Sequence, residues 1–256
     1  MQKEIATSEE LALFGKQVLG KDYHYLYKKY LYTLLKEGRI KRVQKGMYAA
    51  VDIYRNEDMA ADRYLIASKI RANYYLGFHS ALELHGCAYS VFNTIFISTT
   101  RPESFRPFSF ENVKYQPVRK RDIDMEVIRL NYRKNEIRVS SPSRTFVECV
   151  NRLALVGGLE ECLKSLDGLQ GVNISGVKKA LELYNNNRLL RTVGFLLEYM
   201  AEYSPFYGHF EKPALEELAK SVGKAPMYFE PGAESEYNKK WNLYIPREID
   251  GVMRGV

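Results

Sequence analysis

The sequence predicts an α+β protein: an N-terminal winged helix-turn-helix, then a larger α+β domain with a small mixed or antiparallel sheet and C-terminal helices. Three observations lead there. Two helical periods and a basic, β-prone hairpin follow one another within the first fifty residues. Strand-like runs cluster between residues 94 and 140. Helical patterns dominate after Pro142, so strands precede helices instead of alternating with them.

Thr7 to Leu19 reads as the first helix, with Ser8 as its cap and Glu9 and Glu10 in the first turn, where negative charge suits the helix dipole. Leu11, Phe14 and Val18 recur at helical spacing, and Leu19 extends that face. Gly20 is the breaker. Asp22 opens a second helix whose inner stripe is Leu26, Tyr30 and Leu34, flanked by Leu31 and Leu35. Its opposite face holds His24, Tyr25, Lys28, Lys29, Tyr32 and Lys36. A merely solvated face usually mixes both signs of charge, and after the cap only Glu37 interrupts this one.

Gly38 to Val43 and Met47 to Ala50 flank the turn Gln44-Lys45-Gly46, which reads as a hairpin. Ile40, Val43 and Tyr48 can pack inward, while Arg39, Lys41, Arg42 and Lys45 crowd the ribbon. Helix, turn, helix, basic hairpin is the layout of a winged helix-turn-helix, with lysines for phosphates and His or Tyr for base edges. The domain is expected over residues 1–52, and Asp52 to Asp58 is a polar connector.

The second domain is expected over 58–256. Ala60 to Tyr74 reads as a helix, and Ser80 as the cap of a short helix ended by Gly86. Residues 94–99, 112–118, 125–131 and 136–140 are strand candidates. Ser143 to Leu155, Gly158 to Leu166, Ser175 to Asn185, Asn187 to Tyr203 and Lys212 to Val222 are helix candidates. Residues 223–240 read as a surface loop before a strand at Trp241 to Ile245.

Charge follows the same division. Residues 1–50 hold ten Lys/Arg against five Asp/Glu, residues 51–141 fourteen against eleven, and residues 142–256 fourteen against fifteen. A local basic surplus is the footprint of a polyanion binder. No run of 18 apolar residues suggests a membrane span, and no apolar stretch behind Met1-Gln2-Lys3-Glu4 suggests a signal peptide. Cys87, Cys149 and Cys162 match no metal-ligand spacing and read as buried reduced thiols of a cytoplasmic protein.

The sequence offers no catalytic constellation. His79 and His85 are six apart, which is not the zinc-binding i, i+4 spacing, and read as packing or hydrogen-bonding residues. Asp122, Asp124 and Glu126 alternate and could hold a metal on one strand face, but beside Arg119, Lys120 and Arg121 they read better as a solvated strand entrance. Gly157-Gly158 is weak evidence for an anion site. A binding protein without cofactor or metal is therefore expected, not an enzyme. A second basic patch, Arg101, Arg106, Arg119, Lys120 and Arg121, with Lys114 and several Phe residues nearby, either extends a nucleic-acid footprint or protects a sheet edge.

The stretch from Leu34 to Tyr48 resembles the winged-helix signature of the AbiEi antitoxin family. Tyr75 to Gly86 followed by Ile95 to Arg101 resembles that family's second domain. Ser141-Pro142-Ser143-Arg144-Thr145-Phe146-Val147-Glu148-Cys149-Val150, then Gly157-Gly158, resembles its Arg-Thr, acidic helix, Gly-Gly segment. Together these cover roughly residues 8–170, and Trp241 to Pro246 adds a shared ending. The resemblance implies a prokaryotic type IV antitoxin. Such a protein binds inverted repeats in its own promoter as a monomer or weak dimer, cooperatively, and represses its operon. It counteracts a nucleotidyltransferase-like toxin without a stable complex. The resemblance also calls for a helix before the first one assigned here, and only six residues precede Thr7. Two other readings stay open: a stand-alone winged-helix regulator whose second domain senses a ligand or partner, and a metal-dependent nucleic-acid-processing enzyme using Asp122, Asp124 and Glu126.

Overall fold

A computed structural model of the chain describes residues 4–51 and 61–254. The connector expected at Asp52 to Asp58 lies outside the described residues. The protein is α+β, with a helix-turn-helix and hairpin at its N-terminus and helices toward its C-terminus.

The N-terminal module begins with strand β1 (Ile5–Thr7) and helix α1 (Ser8–Phe14), which runs on into a π-helical turn, Gly15–Leu19. The cap is Thr7, not Ser8. Thr7 Oγ1 accepts from the Glu10 amide at 3.3 Å while Glu10 Oε2 accepts from the Thr7 amide at 3.0 Å, so two helix-end donors are satisfied reciprocally. Gly20, at φ 62°, ends the segment as expected. The second helix runs as α2 (Tyr23–Leu26), a π-helical turn (Tyr27–Leu31) and α3 (Tyr32–Lys36). Asp22 caps it, accepting from the Tyr25 amide at 2.8 Å.

Both apolar faces differ from the 3.6-residue expectation. Phe14 and Val18 are 50% and 62% exposed, and Leu19 is exposed as well. The first helix instead meets the second at Gly15, where an added Cβ would stand 2.5 Å from Leu26 Cδ1. In the second helix Leu26 and Leu31 are buried and Tyr30 is exposed. The reason is the π turn, whose extra residue moves the inward position from i+4 to i+5.

The hairpin is β2 (Ile40–Gln44) and β3 (Met47–Ala50), and β1 pairs with the other edge of β3 to give the order β1-β3-β2. The residues before the first helix thus form a strand, not the helix that the resemblance calls for. Register places Ile5 opposite Ala49 and Ala6 opposite Tyr48, so the two faces of this sheet differ. Tyr48 turns toward the helices, its hydroxyl 2.9 Å from that of Tyr23. Ile5, Met47 and Ala49 turn the other way and join the apolar cluster of the larger region.

That region starts with α4 (Arg63–Ser68), β4 (Tyr75–Leu76) and α5 (His79–Leu84). Strands β5 (Thr94–Thr99), β6 (Phe108–Phe110), β7 (Val113–Arg119), β8 (Val127–Tyr132) and β9 (Asn135–Ser140) complete a mixed six-stranded sheet of order β6-β7-β5-β4-β9-β8. Both faces are covered. Ile95, Ile97, Tyr115, Ile137 and Val139 pack with α4 and the N-terminal sheet. Phe96 and Val118, at alternate positions, pack with the helices that follow. This is why β5 reads as a continuous apolar run. Ser80 does not cap α5; its Oγ accepts from the Phe96 amide at 2.8 Å and ties the helix to the sheet.

Helices α6 (Pro142–Asn151), α7 (Leu159–Asp167), α8 (Ile174–Glu182), α9 (Asn187–Tyr203) and α10 (Lys212–Ala219) follow. The stretch 223–240 is not a simple loop, because it contains β10 (Met227–Tyr228) and β11 (Ser235–Asn238). Both pair with β12 (Leu243–Pro246), and α11 (Glu248–Arg254) ends the described chain. Buried Arg191 fastens this segment, donating to the carbonyls of Ala225, Asn242 and Gly223 at 2.7–2.8 Å. Trp241 lies across Gly194 of α9, where a Cβ would fall 2.1 Å from its ring. Among the described residues no helix is long and apolar enough to cross a membrane. The three cysteines are free thiols, and burial pushes the Cys87 thiol up to about 12.

Candidate nucleic-acid interface

The second helix and the hairpin carry a dense set of open cations. His24, Lys28, Lys29, Tyr32 and Lys36 are exposed on the helix, and Arg39, Lys41, Arg42 and Lys45 on the hairpin; Tyr25 is half-buried. Lys28, Lys29, Lys36, Arg42 and Lys45 form no ion pair among the described residues, so their charge stays available to a polyanion. Five like charges on so small a module repel one another, and a phosphate backbone relieves that repulsion.

Tyrosines set the positions of these cations. Lys29 Nζ donates to the Tyr25 hydroxyl at 2.8 Å, a bond that holds the ammonium above its ordinary pKa. Arg42 donates to the Tyr27 hydroxyl at 3.1 Å and lies over the Tyr48 ring. Tyr48 in turn bonds Tyr23, whose hydroxyl burial pushes up to about 12. The hairpin is thereby locked to the second helix through Tyr23, Tyr27 and Tyr48. None of these three was singled out from the sequence as a site residue. Their signal was spacing: Tyr23 and Tyr27 lie one turn apart, on the helix flank next to the hairpin.

The turn is fixed from the other side. The Ser8 amide donates to the Gly46 carbonyl at 2.7 Å, and Gly46 holds φ 78° with Ser8 Oγ 2.8 Å from where a Cβ would sit. The Lys45 tip therefore sits on a rigid base. Two cations expected at the interface are engaged elsewhere. Lys41 sits opposite Ala49, on the sheet face turned toward the larger region, and pairs with Glu111 at 2.9 Å. Arg39 approaches Glu37 at 3.9 Å.

The second basic patch divides in two. Parallel pairing of β5 and β7 brings Arg101 and Arg119 to Arg121 to one end of the sheet, and antiparallel β6 delivers Arg106 to that end as well. Arg101, Arg106, Arg119 and Arg121 are exposed. Lys120 is not a surface cation. The strand alternation continues through it and puts it on the Val118 side, facing α6. Its side chain is 9% exposed and bonds Glu148 Oε1 and the Tyr184 hydroxyl, both at 2.8 Å.

Glu148 Oε1 also accepts from Arg144 Nε at 3.0 Å, from the Tyr75 hydroxyl at 2.6 Å and from Tyr184 at 3.0 Å. Burial pushes this carboxyl up, but Lys120 and Arg144 outweigh it and hold it below its ordinary value. Arg144 makes three further hydrogen bonds, to the carbonyls of Met125 and Asp122 and to the Tyr75 hydroxyl, and its Nη1 lies 3.6 Å from the Asp122 carboxylate. The Arg-Thr, acidic helix segment is thus a buried charge network.

Asp122, Asp124 and Glu126 diverge. Asp122 accepts from the amides of Asp124 and Met125, Asp124 pairs with Arg138 at 2.5 Å, and Glu126 accepts from Ser141 Oγ at 2.8 Å. Among the described residues no group of three His, Cys, Asp or Glu converges on a common point. His85 lies 2.9 Å from the Ser140 carbonyl, to which its Nε2 donates, and burial lowers its pKa. His79 is buried, stacked on Phe92 between Glu83 and Glu161.

No family model and no curated protein matches the chain. In three dimensions it is similar to the crystal structure of the RV2827C protein from Mycobacterium tuberculosis. The TM-score is 0.68 at 16% identity, with 99% of this chain and 89% of that one covered. At that identity the likeness establishes the fold alone.

Proposed function

We propose that this protein is a DNA-binding transcriptional repressor and the antitoxin of a type IV toxin–antitoxin pair. The observation that carries the DNA part is the set Lys28, Lys29, Lys36, Arg42 and Lys45, exposed, without an ion pair among the described residues and mounted on a helix and hairpin that tyrosines lock together. The helix supplies side chains for a major groove, and the hairpin tip follows the adjacent phosphates. The antitoxin part is carried by the sequence resemblance over residues 8–170. Under this reading the larger region opposes a nucleotidyltransferase-like toxin while the N-terminal module represses the operon from inverted repeats in its promoter.

The test has two arms. Fluorescence anisotropy with the promoter fragment, repeated across salt concentrations, should give a log–log slope of about −4 to −5 if four to six cations meet phosphates. A slope near zero refutes DNA binding through this face. Co-expression with the neighbouring gene product should restore growth with the full chain but not with residues 1–50. Failure of the full chain to restore growth refutes the antitoxin role and leaves the DNA arm standing.

A further inference from the structure

We infer that the cleft lined by Arg119, Lys120, Arg121, Asn151, Arg152 and Tyr184 binds a small phosphorylated molecule. Its volume is about 320 Å³. That is the lower end of the range for small-ligand pockets, enough for a phosphate group with a compact organic body.

The charge balance of the cleft is positive. Five cations line the cleft when Arg144 is counted, against Asp122 in the wall and Glu148 behind it. Arg144 and Lys120 are matched by Glu148 and Asp122, but Arg119, Arg121 and Arg152 have no ion pair among the described residues. Three unmatched guanidinium groups around one concavity favour an anion, and guanidinium geometry suits phosphate oxygens.

The buried side of the cleft is rigid. Lys120 spends two of its three N–H donors on Glu148 and Tyr184, leaving one for the cleft that it lines. Arg144 fixes the wall from behind and spends its own donors on protein acceptors. The site therefore pairs a preorganised buried donor with three arginines from two elements, the end of β7 and the end of α6. Burial, together with the nearby charges of Arg144 and Arg152, depresses the Lys120 pKa, and a bound phosphate would relieve that crowding.

Shape separates this cleft from the winged-helix face. The helix and hairpin present projecting cations to an extended backbone, whereas here five cations line one half-open concavity and one of them, Lys120, is largely buried. A single phosphate-bearing ligand fits the second arrangement better than a strand does. The inference stands independently of what the N-terminal module binds.

The test is calorimetric titration of the full chain with inorganic pyrophosphate at low ionic strength. The expected dissociation constant is about 1 mM or tighter. The double variant Arg119→Gln/Arg152→Gln removes two exposed side chains outside the buried network and should weaken binding by about tenfold or more. The control Lys28→Gln/Lys45→Gln should leave it unchanged. The inference is overturned by no saturable binding at ten times that concentration, by equal binding by the cleft variant, or by loss in the control instead. A cleft variant that keeps pyrophosphate affinity but loses affinity for duplex DNA also overturns it and assigns these arginines to a nucleic-acid surface.

Discussion

Cations serve opposite purposes in two regions of this molecule. On the second helix and hairpin Lys28, Lys29, Lys36, Arg42 and Lys45 project into solvent, two of them steadied by tyrosine hydroxyls, and none pairs with a carboxylate among the described residues. Around Glu148 they are buried, and one carboxylate oxygen accepts from Lys120, Arg144, Tyr75 and Tyr184 together. The first arrangement costs the fold little and offers charge to a partner. The second consumes its charge in holding α6 to the sheet. Basic residues counted along a chain do not say which of the two they join; burial and partner do.

The comparison breaks first at the open cations. Reversing Lys28, Lys29 and Arg42 to Glu together should abolish retention of DNA in a gel shift at moderate salt. Each of these exposed changes should alter stability by no more than about 0.5 kcal/mol. An unchanged shift ends the assignment of this face.

The buried network should respond in the opposite way. Glu148→Gln leaves Lys120 buried without its counter-charge and Arg144 with only the more distant Asp122, a loss of about 3–5 kcal/mol. The thermal midpoint should fall on the order of 10 °C. Because the folded carboxyl is held below the ordinary carboxylate value, its contribution is complete above pH 4.5 and is lost as pH falls through the lower folded value. Denaturation across that window should flatten in the Gln variant. A variant as stable as the parent at pH 7 means the network contributes nothing net.

Gly15→Ala sharpens the link between the two helices. The new methyl would stand 2.5 Å from Leu26 Cδ1 and 2.9 Å from the Lys21 carbonyl oxygen. Overpacking should destabilise by about 1–3 kcal/mol and weaken DNA binding as the second helix moves. Full stability and full affinity would show that the helices do not meet there.

The smallest effect tests Lys41 against Lys45. Removing Lys45, an unpaired tip cation, should reduce the salt slope by about 0.9. Lys41→Ala, which breaks the exposed pair with Glu111, should leave the slope unchanged and cost about 0–1 kcal/mol. Equal slopes for the two variants would show that Lys41 reaches DNA after all.

Much of the fold was legible. The strand over residues 94–99 and the helix from Asn187 to Tyr203 match the structure end to end, because a strong apolar run and a long amphipathic period leave no rival conformation. Asp22 and Gly20 were legible through capping chemistry, which depends only on neighbours in sequence. The strands β1, β10 and β11 were not, because two to four residues carry no measurable period and form by pairing with partners distant in sequence. The exposed face of Phe14 and Val18 was misread because the π turn breaks the period on which the reading relied.

For the candidate interface, the sequence by itself determined which residues are basic, that they crowd a helix and a hairpin, and that no carboxylate is interleaved on the helix face. Those are properties of local order and charge. Tertiary structure alone decided which cations remain free. It tied Lys41 to Glu111, drew Lys120 beneath the surface to Glu148, and set Tyr27 and Tyr48 to hold Arg42. The physical reason is that the energy of a charge depends on its solvation and its nearest counter-charge, and both are fixed by residues up to seventy positions away, as Lys41 and Glu111 are.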